Sequence, residues 1–189
     1  MKQTRRLFIR EGLAGAILLG TGNLVVADDV SETVKAKVTR VVNPFHLGMA
    51  GFTFSRFDID ITLKTMQRLD LHYLSVKDFH LPLNSTDKQI EDFKDKCASY
   101  NVIGYIVGPI NMHSEAEVDE AFEYAKRVGV KKIIGVPDVE LLPYVDKRVK
   151  EYDFNYAIHL HGPDKNVYKD AASVWKFTKD LDPRIGMCL

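Results

Sequence analysis

Two histidines in one short apolar segment are the residues of this sequence best suited to chemistry. The segment reads Tyr-Ala-Ile-His-Leu-His-Gly-Pro over residues 156–163, and its histidines are His159 and His161. Because side chains alternate along a strand, both imidazoles are expected on the same side of the backbone. Two imidazoles at a strand end suit a metal site or an acid–base site. In the alternative interpretation, each histidine ends a strand and hydrogen-bonds to a neighbouring group.

A second group of polar residues follows another apolar run, in the segment Lys77-Asp78-Phe79-His80. Lys77 would stabilise negative charge on a substrate oxygen if its side chain points into the fold, whereas a solvent-facing lysine would have no such role. His80 would bind substrate or move a proton, or else would hydrogen-bond to a loop carbonyl. Lys77 and His80 are therefore candidates for a site at the end of this strand.

These residues lie within a regular alternation of predicted strands and helices. The clearest helix, 114–128, opens with Ser114 and Glu117 at the spacing of a capping box, and Thr86 is expected to cap another helix. Apolar runs bounded by turn residues predict the strands, and helical periodicity predicts the helices. Strands are predicted at 47–54, 73–79, 102–107, 132–136, 156–160 and 184–189, and helices at 60–69, 86–100, 114–128, 139–151 and 167–179.

Strand–helix alternation with short connections predicts an α/β fold with a parallel sheet. Two architectures satisfy this pattern: an open doubly wound sheet, and a (β/α)8 barrel without its last quarter. The segment after the first predicted strand lacks the glycine fingerprint of dinucleotide-binding proteins. Polar residues at strand ends suit a barrel equally well. Periodicity alone does not separate the two architectures.

The first 27 residues have the features of an export signal. Thr-Arg-Arg-Leu-Phe-Ile-Arg at positions 4–10 matches the twin-arginine pattern, and an apolar run rich in glycine and alanine follows. That run is too short for a membrane span, so we expect cleavage and no stable membrane anchor, the alternative being an uncleaved anchor. Residues 1–27 are thus predicted to be a twin-arginine signal peptide for periplasmic export, residues 28–44 a linker, and residues 45–189 one domain.

Charge and cysteine content argue against two classes of protein. The chain has 26 basic and 26 acidic residues, and cleavage after residue 27 would remove four basic residues and one acidic residue, leaving a net charge of −3. A net negative charge disfavours binding to phosphate backbones, so no nucleic-acid partner is expected. Cys97 and Cys188 are too few for a disulfide framework, and we expect both to be buried and free.

The stretch from Lys77 to Leu189 resembles the sugar phosphate isomerase/epimerase superfamily, the xylose isomerase-like TIM barrels that also include endonuclease IV. The most specific parts are Ala-Ile-His-Leu-His-Gly-Pro at 157–163 and Leu-Asp-Pro-Arg-Ile-Gly-Met-Cys-Leu at 181–189. The resemblance covers residues 45–189. It implies a divalent metal ion held at the strand C-termini by Glu, Asp, His and Glu. His159 stands where the first Glu is usual, which is similar to the His-x-His strand of inosose dehydratases.

The same resemblance implies that part of the barrel is absent from this sequence. In the family, the motif matching Gly-Met-Cys-Leu at 186–189 continues into the aspartate ligand and a Gly-His, whereas this sequence ends at Leu189. We therefore expect an incomplete (β/α)8 TIM barrel of about six βα units, without the last two. Either the chain is a fragment of a longer protein or it is a truncated gene product.

The expected function is that of a metal-dependent sugar isomerase or epimerase that removes a proton next to the carbonyl of a carbohydrate or keto-sugar. The resemblance makes His159 a metal ligand, and a nitrogen ligand favours Mn²⁺, Co²⁺, Fe²⁺ or Zn²⁺ over Mg²⁺. His161, His80 and Lys77 are the expected catalytic residues, and a small-molecule sugar is the expected partner. The alternatives are a keto-sugar dehydratase, hence a lyase, and a non-catalytic carbohydrate-binding or inactive truncated product.

Overall fold

Six parallel strands make up the central sheet of this α/β protein. The computed structural model describes residues 46–162 and 167–188, so the predicted signal peptide (1–27) and linker (28–44) lie outside the described residues. Pro163 and Leu189, which end two of the segments analysed above, also lie outside them. The strands are β1 (Gly48–Ala50), β2 (Tyr73–Val76), β3 (Ile103–Met112), β4 (Lys132–Pro137), β5 (Asn155–His159) and β6 (Ile185–Cys188).

The order of the strands in the sheet decides between the two architectures. Each strand pairs in parallel with the next strand along the chain, in the order β1-β2-β3-β4-β5-β6. A doubly wound sheet reverses its strand order at a switch point, whereas a barrel adds each new strand at the same edge. The sheet curls into part of a barrel, and the prediction of an incomplete TIM barrel with about six βα units is confirmed.

Five α-helices within the described residues alternate with the strands. Four of them begin with a side chain that accepts a hydrogen bond from a free backbone N–H of the first turn: Asp58, Thr86, Ser114 and Asp170. None of the helices in these ranges combines the length and hydrophobicity that a bilayer crossing requires. The helices are α1 (Ile59–Arg68), α2 (Asp87–Ser99), α3 (Glu115–Val128), α4 (Leu142–Tyr152) and α5 (Ala171–Thr178).

The predicted capping box of α3 is only half formed. Ser114 Oγ accepts a hydrogen bond from the N–H of Glu117 at 3.3 Å. The Glu117 carboxylate, however, accepts from the backbone N–H of His113 instead of that of Ser114. By contrast, Thr86 and Gln89 form both hydrogen bonds of the box at the start of α2.

β1, α4 and α5 begin or end at residues other than those predicted. β1 gives way to a 3-10 helix over Gly51–Phe54. α4 follows a 3-10 turn over Val139–Leu141, and Pro143 lies in its first turn, where the missing proline N–H would have no helical partner. α5 begins only after its cap, Asp170, and not at residue 167. Capping and proline geometry therefore shift these boundaries by several residues.

β3 extends further than predicted, through Gly108 and Pro109 to Met112. A glycine followed by proline is typical of a turn, so the sequence predicts a strand end here. The strand continues because Gly108 has a φ of 109°, a backbone conformation that favours glycine, and lies against the carbonyl of Ile134 on β4. The register with β4 shifts at this point. The extension carries Asn111 to the carboxyl edge of the sheet.

Aromatic packing fixes the distance between the sheet and its outer helices. Phe122 on α3 is fully buried and stacks on Tyr156 of β5, with ring centroids 6.1 Å apart and ring planes at 6°. Phe154 stacks on the same Phe122 ring at 5.9 Å. The phenol of Tyr156 fills the space beside Gly135 on β4, so a β-carbon at Gly135 would overlap it. Position 135 therefore requires glycine.

We expect Gly135→Ala to lower the free energy of unfolding by about 1–3 kcal/mol, because the added methyl must displace the buried Tyr156 ring. Gly186→Ala on β6 is the matched control, since a β-carbon there meets no atom within 4 Å. Urea unfolding followed by circular dichroism measures both changes. Equal stabilities of the two variants would contradict close packing of Tyr156 against Gly135.

Candidate active site

A cavity on the inner face of the sheet extends to the carboxyl ends of β2 and β5, where Lys77 and His159 line it. It has a volume of about 460 Å³ and is lined by residues of all six strands. Small-molecule sites typically have volumes of about 300–1,000 Å³, so this cavity is large enough for a ligand. We call it the lysine cavity, and its polar lining consists of Ser75, Lys77, Tyr105, His159 and Cys188.

Lys77 follows β2 and is the cationic residue of the lysine cavity. It is only 8% exposed, and its Nζ donates a hydrogen bond to the carbonyl of Gly108. Burial lowers the pKa of Lys77, while Cys188 and Asp78 oppose the shift. Within the described residues, no carboxylate forms an ion pair with its ammonium group. Such a cation suits the stabilisation of negative charge on a bound oxygen.

His159 ends β5 and lines the same cavity as Lys77. Its Cα is paired with that of Cys188 in the register of β5 with β6. The Nδ1 atom of His159 is buried and has no hydrogen-bond partner in the part of the chain that the structure describes. Burial lowers the pKa of the imidazole, and the neighbouring His161 and Lys77 lower it further. The neutral ring is the form that accepts a proton or binds a metal ion.

His161 lies just beyond β5 and lines a second cavity. Its ring centroid is 5.2 Å from that of His159, with the ring planes at 81°. Its backbone N–H donates to the carbonyl of Tyr168 at 3.1 Å. The two histidines therefore stand between two adjoining cavities. The second cavity has a volume of about 520 Å³, we call it the carboxylate cavity, and its polar side chains include Asn111, Asp138, Glu140 and His161.

The structure places His80 apart from the other predicted site residues. It lines a cavity of about 270 Å³ together with residues of α1 and α2, on the helical side of β2. Its Nε2 lies 3.5 Å from Oγ1 of Thr62, and its ring meets Phe79 edge-on. Burial lowers the pKa of His80, with Asp78 opposing the shift. This position agrees with a structural role for His80 and gives it no contact with the lysine cavity.

Sequence analysis missed several residues of the lysine cavity. The Oγ of Ser75 is buried, without a hydrogen-bond partner among the described residues. Ser75 precedes Lys77 by two residues, so the alternation of a strand was a signal that would have found it. Cys97 is buried as predicted, but the prediction that Cys188 is buried is wrong, because Cys188 is half-exposed on the cavity. Both cysteines are free.

His159 and His161 supply nitrogen donors of the kind that transition-metal ions prefer. Protein metal sites usually combine three or four such donors. Within residues 46–162 and 167–188, no group of three or more His, Cys, Asp or Glu side chains is arranged to hold a metal ion. The described residues therefore fit part of a metal site and do not complete one.

Comparison with solved structures identifies the fold. A Parabacteroides distasonis protein matches with a TM-score of 0.65 at 21% identity, over 76% of this chain and 62% of its own. A xylose isomerase domain protein from Alicyclobacillus acidocaldarius matches with a TM-score of 0.59 at 12% identity, over 74% of this chain and 61% of its own. A Bacillus anthracis protein described as a probable 3-DHS dehydratase of petrobactin synthesis matches with a TM-score of 0.57 at 6% identity, over 76% of this chain and 62% of its own. The described residues have the xylose isomerase-like fold.

Structure and not sequence establishes the xylose isomerase-like fold of this chain. No protein-family model and no curated protein matches the sequence. The chain spans about three fifths of the length of the solved structures, between 61% and 62%. TIM-barrel proteins place their active sites at the carboxyl ends of the strands, which is where Lys77 and His159 meet.

We expect the imidazole of His159 to titrate below the ordinary value of 6.5, because burial and the charges of His161 and Lys77 disfavour its protonation and lower its pKa. The folded state then binds this proton less tightly than the unfolded chain. Protonation of His159 therefore lowers the free energy of unfolding as the pH falls from about 6.5 towards the lowered pKa. Nitrogen-15 NMR of the ring nitrogens measures the titration.

Lys77→Gln should raise the pKa of His159, because it removes one of the nearby positive charges. Lys176→Gln, on the exposed side of α5, is the control and should leave it unchanged. An identical His159 titration in both variants would contradict the electrostatic contact across the lysine cavity.

Proposed function

We propose that this protein is a sugar isomerase or epimerase that removes a proton next to the carbonyl of a carbohydrate or keto-sugar. The observation that carries the proposal is the placement of Lys77 and His159 on one cavity at the carboxyl ends of parallel strands. A xylose isomerase domain protein is among the solved structures with this fold, which supports a sugar as the substrate. Fold similarity by itself does not determine a reaction, so the site residues carry the mechanism.

The side chains around the lysine cavity have distinct parts in the proposed reaction. The substrate carbonyl would accept a hydrogen bond from Lys77 Nζ, whose charge would stabilise the enediolate oxygen that forms when the neighbouring proton leaves. His161 lines the adjoining carboxylate cavity, with its ring centroid 5.2 Å from that of His159, and from there would accept that proton as a general base and return it to the adjacent or the same carbon. The hydroxyls of Ser75 and Tyr105 would orient the sugar for this transfer.

A divalent metal ion belongs to the proposed enzyme. Neutral His159 would supply one ligand, and its imidazole favours Mn²⁺, Co²⁺, Fe²⁺ or Zn²⁺ over Mg²⁺. When bound, such an ion polarises a carbonyl and stabilises enediolate charge. Since the described residues contain no group of three metal-binding side chains, His159 would contribute only part of the ligand set.

A keto-sugar dehydratase is the second candidate. Elimination of water begins with the same proton removal and continues with loss of a hydroxyl from the next carbon, so the same residues would serve it. The Bacillus anthracis protein of this fold that is described as a dehydratase supports this candidate. Analysis of products decides between them, because a dehydratase releases an unsaturated keto-sugar and an isomerase does not.

A non-catalytic carbohydrate-binding protein is the third candidate. Such a protein would bind sugar in the presence of a chelator and would never exchange the substrate proton with solvent.

We further propose that residues 1–27 direct export through the twin-arginine pathway to the periplasm, on the basis of Arg5 and Arg6 within the export pattern. Accumulation of the protein in the cytoplasm alone would contradict the export proposal.

Lys77→Met should reduce the rate of proton exchange by about 100-fold or more, the usual effect of removing one charge-stabilising donor from an active site. The measurement is deuterium uptake from D₂O next to the carbonyl of a panel of aldo- and keto-sugars, followed by proton NMR. Lys176→Met on the surface of α5 is the matched control. Unchanged exchange in Lys77→Met would exclude the assigned role, and no exchange by the parent protein would favour the binding protein.

His159→Ala should lower the metal content of the purified complete gene product by at least half, because it removes a proposed ligand. Mass spectrometry of the acid-digested protein measures metal per chain, and circular dichroism verifies the fold. His72→Ala is the control, since His72 hydrogen-bonds to Asn101 and Asp70 at the opposite end of β2. A metal content equal to that of the parent protein would contradict the ligand assignment.

A further inference from the structure

The carboxylate cavity adjoins the proposed catalytic cavity and has a different chemistry. His159 lines the lysine cavity, His161 lines the carboxylate cavity, and their ring centroids are 5.2 Å apart. A molecule bound at this pair of histidines therefore has a second space of about 520 Å³ beside the first of about 460 Å³. Each space alone falls in the range of about 300–1,000 Å³ that small-molecule sites occupy.

The polar side chains of the carboxylate cavity are suited to hydroxyl groups. Asp138 and Glu140 are hydrogen-bond acceptors, and the amide of Asn111 both donates and accepts. A lining with both acceptors and donors suits hydroxyl groups, each of which can donate and accept a hydrogen bond. The apolar side chains of Val136 and Val167 complete the wall and would contact the C–H faces of a sugar ring.

The position of Asp138 is fixed by contacts outside the cavity. Its backbone N–H donates to the carbonyl of Met112 at 2.9 Å, which holds it at the end of β4. Nδ1 of His113 lies 3.2 Å from both of its carboxylate oxygens. A polar group held in one orientation binds a ligand with less loss of conformational entropy than a mobile one.

The charges of the two cavities restrict the ligand further. Lys77 places a cation in the lysine cavity, while Asp138 and Glu140 place anions in the carboxylate cavity. Two carboxylates repel a phosphate or a carboxylate group, because like charges placed close together are unfavourable. The carboxylate cavity therefore disfavours an anionic group, and its hydrogen-bonding side chains suit a ligand rich in hydroxyls.

From this arrangement we propose that the substrate is a neutral disaccharide or glycoside with two sugar rings. The carbonyl-bearing ring occupies the lysine cavity, the second ring occupies the carboxylate cavity, and the linkage between them passes His159 and His161. The inference rests on the proposed function for the identity of the first ring. It adds a second binding subsite, in which Asn111 and Glu140 are specificity-determining residues.

The test compares the binding of matched pairs of one-ring and two-ring sugars to the complete gene product by calorimetry. Glucose is paired with cellobiose and with lactose, because glucose is the carbonyl-bearing ring of both disaccharides. We expect the disaccharide of at least one pair to bind 10-fold or more tightly than its monosaccharide.

Glu140→Gln and Asn111→Ala should each reduce that advantage in affinity at least five-fold, with monosaccharide affinity changed less than two-fold. Both residues are exposed, so the fold should tolerate the changes, and Glu120→Gln on the exposed face of α3 is the charge-matched control.

The possible failures of the two proposals are distinguishable. Monosaccharides that bind and exchange a proton while disaccharides bind no more tightly would overturn the second subsite and leave the proposed function intact. A disaccharide advantage that persists in both variants would also overturn it, because the extra affinity would arise elsewhere. Absence of binding and of proton exchange for every sugar would overturn both proposals together.

Discussion

Parallel pairing in sequence order is the constraint on which the candidate site depends. Because all six strands run the same way, their carboxyl ends meet at one edge of the sheet, although the residues there are far apart in sequence. Lys77 follows β2, Asn111 lies near the end of β3, Asp138 follows β4, and His159 ends β5. An antiparallel arrangement of the same strands would send half of these side chains to the opposite edge. Both cavities therefore depend on all six strands running in the same direction.

The second requirement of the site is electrostatic. A buried ammonium group without an ion-pair partner is costly, since burial favours its neutral form. Lys77 Nζ offsets part of that cost by a hydrogen bond to the carbonyl of Gly108, which lies where the register of β3 with β4 shifts. Buried ionisable groups with shifted pKa values concentrate at functional sites. The unusual backbone of β3 and the chemistry of the lysine cavity are thus parts of one arrangement.

The sequence predicted most of the fold but only part of the site. Helix α2 and its Thr86 cap follow from local rules, because a cap and a helical period are written in neighbouring residues. The extension of β3 does not, because Gly108 and Pro109 read locally as a turn and only the contact with β4 makes them a strand. The side of β2 on which His80 lies depends on packing against Thr62 of α1, which no local pattern encodes. Long-range contacts therefore account for the differences.

Cys188 is partly exposed and gives experimental access to the lysine cavity. The other cysteine, Cys97, is buried in α2, and burial raises the pKa of its thiol to about 11, so its thiolate is scarce near neutral pH. A maleimide reagent at neutral pH would therefore select Cys188, whose position on the lysine cavity is fixed by its pairing with His159. A spin label or fluorophore attached there would report on what enters the cavity without any engineered cysteine.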